Sequence, residues 1–164
     1  MKEAMVTFFW EYSTLIVFLH VLSAVVWVGG MIAMRFAAHH AFQELREPPR
    51  RLESTAYALK RLFAIVAPFI VILLVTALIM AAGMDLHHGE AAGVAFAKEG
   101  VWTVMALNYL AMVLRRNRAE ALIGEGNLVD AKAKLAPIGA YMVPVNIVLG
   151  LVAIYLGATL RFGA

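Results

Sequence analysis

The chain contains no cysteine and few charged residues: Asp, Glu, Lys and Arg together make up 15% of its 164 residues. The lack of cysteine excludes disulfides, thiolate metal sites and iron–sulfur clusters, so any metal ligand has to be a His, Met, Tyr or carboxylate. Hydrophobic residues account for 63% of the chain, and the mean hydropathy is +0.81. This composition is far from that of soluble domains and indicates one small multispanning membrane domain, residues 1–164.

Four apolar stretches approach the length of about 20 residues that a helix needs to cross a bilayer. They lie at residues 7–36, 62–82, 97–116 and 138–160. The third is the shortest, and it reaches spanning length only with flanking residues such as Arg115, whose aliphatic stem can extend to the interface. We therefore predict an all-α fold, an integral membrane four-helix bundle.

Most basic residues fall in the first and third connections between these stretches. Short connections rich in Lys and Arg face the cytoplasm. The middle connection, 83–98, has Lys98 as its only strong base and should face the opposite side, so both termini are predicted to be non-cytoplasmic. We expect a multi-pass protein of a bacterial inner membrane, and the position of the basic residues argues against nucleic acid as a partner.

His20 is the strongest functional candidate, because it lies inside the first apolar stretch. An ionisable side chain in hydrocarbon is costly unless it is neutral and paired, or ligated. Both alternatives stay open: a metal or haem ligand, or an imidazole bonded to a neighbouring Ser, Thr or carbonyl. A rise of about 1.5 Å per residue puts His20 on the order of 10 Å below the outer surface.

The same depth estimate brings side chains of other helices to the level of His20. We expect Thr76 and Met80 from the second stretch and Met105 and Asn108 from the third at this depth. Cofactor sites in bundles are built from such inward groups, and haem iron accepts a His alone or with a second His or a Met. Haem b is therefore the predicted cofactor. Its second axial ligand stays open between Met105, Met80, an outer-loop His and no protein group.

Trp27 follows His20 by two turns on the same helix face and is another candidate cofactor-binding residue. Beside it, Gly29 and Gly30 give a smooth surface that a flat ring or a second helix can approach closely. Close helix packing is the simpler interpretation of these two glycines.

A second set of candidate metal ligands, Met84, His87 and His88, follows the second apolar stretch near the outer surface. Thioethers with imidazoles are the ligands that copper prefers. Together with His20 deeper in the membrane, these residues suggest an alternative function, copper binding or copper transport. A further alternative is a non-catalytic subunit of a larger membrane complex. The lipid bilayer is the expected partner in each case, and a homo-oligomer or a respiratory-chain partner stays open.

The stretch Leu19–Met31 resembles the first-helix signature of the CopD-like copper-resistance membrane proteins, a His followed by Trp-x-Gly-Gly. The stretch Val145–Leu151 is similar to an Asn-x-x-Leu-Gly motif in the last helix of small four-helix relatives of that group. The two motifs cover under a fifth of the chain, while the four-helix layout extends the resemblance to nearly all of it.

The group is also similar to HemJ-type protoporphyrinogen oxidases, whose first helix carries a His followed by an Arg and a second His. The matching positions here are His20, Arg35 and His39. This resemblance implies a b-type haem held by His20, and a redox or electron-transfer role. Whether the chain is a haem-dependent oxidoreductase is left open. One departure concerns the third helix, where Met105 or Asn108 stands in the region in which such relatives carry a His.

Overall fold

The computed structural model describes residues 2–89 and 92–162, and over these ranges the chain is helical, without strands. The α-helices are α1 Lys2–Ala33, α2 His39–Gln43, α3 Pro48–Gly83, α4 Ala92–Gly124, α5 Leu128–Pro137 and α6 Val143–Phe162. A π-helical turn, Met34–Ala38, joins α1 to α2, and a second, Ile138–Met142, joins α5 to α6. The chain thus forms four long helical segments.

Three of these segments are long and apolar enough to cross a membrane: Glu3–Gln43, Pro48–Gly83 and Leu128–Thr159. They contain the predicted spans 7–36 and 62–82, and all of the span 138–160 except its last residue. The fourth segment, α4, contains the predicted span 97–116, but Lys98, Glu99 and Asn108 lower its apolar character. The prediction of a helical membrane protein is therefore supported by three helices, with α4 as the most polar member of the bundle.

The four long helices α1, α3, α4 and α6 pack in this order around a bundle, and α6 closes it against α1. Neighbouring helices are antiparallel, because Gly83 on α3 contacts Phe9 near the start of α1, while Leu62 contacts Gly30 farther along. This arrangement brings the start of α1, the turn Met84–Gly89 and the end of α6 together at what we call the turn end. The two basic connections lie at the opposite end, the basic end.

The core follows from the spacing of apolar residues along each helix. Buried positions on α1 recur every four or seven residues and form one stripe, with Val28 beside it: Phe9, Ile16, Ser23, Trp27 and Met31. The opposite face of α1 is also apolar but exposed, as expected for a helix whose outer surface meets lipid rather than water. One face of every long helix therefore points into the bundle, and these inward faces define where a site can form.

Candidate functional site

His20 lies on the inward side of α1 and bonds to α3 through its Nδ1 atom, 2.9 Å from Thr76 Oγ1. On its own helix, the Thr76 hydroxyl lies 2.7 Å from the carbonyl of Ile72 and 3.1 Å from that of Leu73, and it can donate its single proton to either. With its proton on one of these carbonyls, the Thr76 hydroxyl accepts from His20, an arrangement in which Nδ1 carries the ring proton. The lone pair of the imidazole is left on Nε2, the atom suited to ligation.

This contact confirms one of the two interpretations of His20, the imidazole bonded to a neighbouring Thr. It does not exclude the other, since a ligating His usually donates its second ring nitrogen to a protein acceptor that fixes the ring. Thr76 is only 4% exposed, so its hydroxyl is shielded from lipid and from water. The hydrogen bond to Thr76 thus fixes the orientation of the His20 ring inside the bundle.

Lys98 of α4 lies at the same level of the bundle as His20 and Thr76, and we call this level the His20 layer. The sequence placed Lys98 in a connection. It lies three residues after the buried Ala95 and seven before the buried Met105, and so on the inward face of α4. Its amine reaches α6, where a Cβ atom added at Gly157 would lie 3.1 Å from Nζ, and it is within electrostatic range of His20. Among the ion pairs of the described residues, none includes Lys98.

The prediction that Met105 lies at the depth of His20 is wrong. Met105 packs against Gly150 together with Val28, which is eight residues beyond His20 on α1. Eight residues of helix span about 12 Å, so the two candidate ligands lie at different levels. The reason is that α4 begins at Ala92, earlier than the predicted third span, so a residue near its start reaches the level of His20.

Asn108 also lies deeper than predicted, and its amide is used in packing. Its Nδ2 donates to the carbonyl of Met142 and to Asn146 Oδ1, each at 2.8 Å. The Nδ2 of Asn146, which is 1% exposed, donates to the carbonyl of Met105 at 3.3 Å. This network joins α4 to α6, as buried amides commonly do between membrane helices.

The other two candidate cofactor residues, Trp27 and Met80, have different environments. Trp27 is 1% exposed and its ring lies edge-on to Tyr109, with 6.4 Å between the ring centroids. Its Nε1 is buried without a hydrogen-bond acceptor among the described residues, and the same holds for Trp102 Nε1. Met80 is partly buried on α3, one turn from Thr76 toward the turn end.

Two buried indole N–H groups without acceptors are unusual, since buried polar groups nearly always have partners. The half-buried amine of Lys98 is a third interior donor, and it belongs to none of the ion pairs among the described residues. A ligand that carries carboxylate or carbonyl oxygens complements such a set of groups. These donors and the His20 imidazole are the groups from which a haem site in this bundle would have to be built.

The two glycines next to Trp27, Gly29 and Gly30, have different surroundings. A Cβ at Gly30 would lie 2.9 Å from Leu62 Cδ1, so this glycine permits close packing of α1 on α3. Gly29 is exposed and has nothing within 4 Å of its Cβ position. Helix packing, the simpler interpretation, is therefore confirmed for Gly30.

No described contact brings together the three residues proposed for copper, Met84, His87 and His88. His87 Nε2 pairs with Glu99 Oε1 at 2.7 Å, and His88 Nδ1 pairs with Asp85 Oδ1 at 3.0 Å, while Met84 is exposed. Over residues 2–89 and 92–162, no three His, Asp or Glu side chains are grouped so that they could hold a metal ion. Copper binding by these residues stays a prediction.

The chain matches no family model, no curated protein and no solved structure. The resemblance to the CopD-like and HemJ-type groups thus stays a prediction from the motifs around His20 and Asn146, from Arg35 and His39, and from the four-helix layout.

The sequence interpretation missed Lys98 and Gly157 as members of the His20 layer. A usable signal was present, because Lys98 continues the inward spacing of Ala95, Met105 and Met112 along α4. The depth of Lys98 relative to His20 depends on the residue at which α4 begins. The apolar run of the sequence did not identify that first residue.

Proposed function

We propose that this chain is a bacterial inner-membrane protein that binds one b-type haem through His20, with a role in electron transfer or other haem-linked redox chemistry. The observation that carries the proposal is the bond from Nδ1 of His20 to Thr76. The bond orients the ring, and with the ring proton on Nδ1 the Nε2 atom would be the iron ligand, which is the arrangement typical of metal-ligating histidines.

The other residues of the site would hold the porphyrin rather than the iron. Lys98 would supply a cationic amine for a propionate, and the unpartnered indole N–H group of Trp102, one turn along α4, would supply a further donor. Trp27 lies next to Val28, at the level of Met105, and we do not propose it as a haem contact. When bound, haem would supply a one-electron redox couple whose potential depends on its axial ligands. Because Met105 lies at another level, we do not propose it as the second ligand.

The proposal includes an orientation in the membrane. Arg46, Arg50 and Arg51 in one connection, and Lys132 and Lys134 in the other, lie at the basic end, which we place in the cytoplasm. Both termini and the His20 layer then lie toward the non-cytoplasmic face.

The direct experiment is the absorption spectrum of the protein purified in mild detergent after expression with added haem precursor. We expect a Soret band in the wild type, its loss in His20→Ala, and its retention in His40→Ala, which removes an exposed imidazole from the same helical segment. A wild type without a Soret band, or a His20→Ala variant with an unchanged spectrum, would refute the proposal.

A further inference from the structure

A groove of about 380 Å³ lies at the basic end, between the first π-helical turn with α2, the start of α3, and α5 with the second π-helical turn. We call it the basic-end groove. Four residues with basic side chains line it, Arg35, His39, Arg51 and Lys132, and its walls also include Leu59 and Ile138. The groove therefore combines cationic groups with a largely apolar lining.

The cations of the basic-end groove have no carboxylate partner among the residues that the structure describes. None of its described lining residues is an Asp or Glu, and none of the ion pairs among the described residues includes Arg35, Arg51 or Lys132. Arg51 donates to the carbonyl of Leu45, at 2.8 Å from Nη2, which fixes its guanidinium without cancelling its charge. Unpaired basic groups of this kind favour an anionic ligand.

Two features of the backbone also converge on the basic-end groove. Arg35 belongs to one π-helical turn and Gly139 to the other, and both residues line the groove. The His39 ring lies next to Gly139, with 3.8 Å between its Cε1 and a Cβ atom added there. Single π-helical turns inside longer helices occur frequently at functional sites, and here the two turns meet across one groove.

We propose that the basic-end groove binds the phosphate group of an anionic amphiphile, with the phosphate on Arg35, Arg51 and Lys132 and the apolar tail on the groove lining. Basic pockets between membrane helices bind the headgroups of anionic lipids by this chemistry. The site is separate from the His20 layer, and it does not rest on the haem proposal.

The test measures lipid adducts on the detergent-purified protein by native mass spectrometry, with phosphatidylglycerol and phosphatidylcholine as probes. We expect a one-to-one adduct with phosphatidylglycerol and little with phosphatidylcholine. The double variant Arg35→Gln/Lys132→Gln should bind phosphatidylglycerol about 30-fold more weakly, the effect of losing two basic groups near an anionic headgroup. The matched control Arg46→Gln/Arg61→Gln removes the same charge from exposed positions outside the groove and should bind like wild type.

A second variant tests the apolar lining. Ala136→Phe keeps every cation but adds bulk at a lining residue, and we expect it to weaken the phosphatidylglycerol adduct as well. If the two double variants lost the same amount of phosphatidylglycerol binding, or if Ala136→Phe bound it like wild type, the lipid would not lie in the basic-end groove. Equal binding of the two lipids would overturn the anionic specificity. Displacement of the lipid by an equimolar amount of inorganic phosphate would show that free phosphate, rather than an amphiphile, is the ligand.

Discussion

The two nitrogens of the His20 ring have different roles, and Thr76 is what separates them. When the Thr76 hydroxyl donates to a carbonyl of its own helix, it accepts from Nδ1 of His20. A threonine on the facing helix thus gives a costly membrane histidine a hydrogen-bond partner and a fixed orientation. The sequence predicted both that His20 would need a partner and that Thr76 lies at its depth, and the structure confirms this pair.

Replacing Thr76 by Val tests this role, because it keeps the shape of the side chain and removes the acceptor. We expect haem affinity to fall about 10- to 100-fold, the usual effect of removing the partner of a ligating His. The measurement is a haem titration of the purified apoprotein, followed by absorption. The control is Thr103→Val, since Thr103 is exposed and its hydroxyl bonds to its own helix at Glu99. Equal affinities of Thr76→Val and wild type would contradict the role assigned to Thr76.

The helices show which structural features a sequence pattern can and cannot predict. Apolar runs and their spacing predicted the number of long helices and the inward face of α1, because lipid and core contacts both select for these patterns. The π-helical turns at Met34–Ala38 and Ile138–Met142 left no such pattern. The start of α4 at Ala92 was missed as well, and this error moved Met105 and Asn108 to the wrong level.

The packing of α1 against α6 can be tested at Gly150. A Cβ atom there would lie 2.5 Å from Cγ2 of Val28, a side chain that is stiff because it branches at Cβ. We expect Gly150→Ala to lower the free energy of unfolding by about 1–3 kcal/mol. Thermal unfolding in detergent measures this effect.

The controls for Gly150→Ala use the same pair of helices. Adding Val28→Ala should recover part of the loss, because it removes the atom that clashes. Gly29→Ala, where nothing lies within 4 Å of the new Cβ, should cost little. If Val28→Ala gave no recovery in the Gly150→Ala background, the register of α1 on α6 would be wrong.

The contact between α3 and α4 at the basic end predicts a dependence of stability on pH. Glu120 accepts from Arg116 at 2.6 Å and from Lys60 at 3.1 Å. The hydrogen bond from Lys60, with that from Arg116 and the charges of both, lowers the pKa of Glu120 below the usual range of a carboxyl. The stabilisation is therefore complete above the unfolded-state pKa and is lost as the pH falls through the folded-state pKa.

We expect Glu120→Gln to be less stable than wild type at neutral pH, and the difference to shrink as the pH falls below the ordinary carboxyl range. Glu53→Gln is the control, since Glu53 is exposed on α3 and belongs to none of the ion pairs among the described residues. Unfolding midpoints across this pH range supply the measurement. A difference that is constant with pH would contradict a role for the ionised carboxylate.

The whole molecule is polarised along the bundle axis. Its basic connections lie at one end with the basic-end groove, and the His20 layer lies toward the other end with both described chain termini. The sequence predicted this polarity from the distribution of Lys and Arg. It did not predict the groove, because the residues that line it come from segments that only the folded bundle brings together.

The membrane orientation can be tested cleanly because the chain has no cysteine of its own. Single-cysteine variants at His88, in the turn, and at Glu125, in a basic connection, place one thiol at each end of the bundle. With a membrane-impermeant maleimide on spheroplasts, we expect labelling of His88→Cys and protection of Glu125→Cys. The reverse pattern would invert the proposed orientation.

The central claim is that the His20 imidazole is an iron ligand, and the most direct measurement is chemical rescue of His20→Gly by free imidazole. The account predicts that the purified variant, with unchanged helical content, shows no Soret band with added haem and regains one when imidazole is supplied. A Soret band in His20→Gly without imidazole would contradict it. So would a folded His20→Gly variant that shows no Soret band either with or without imidazole.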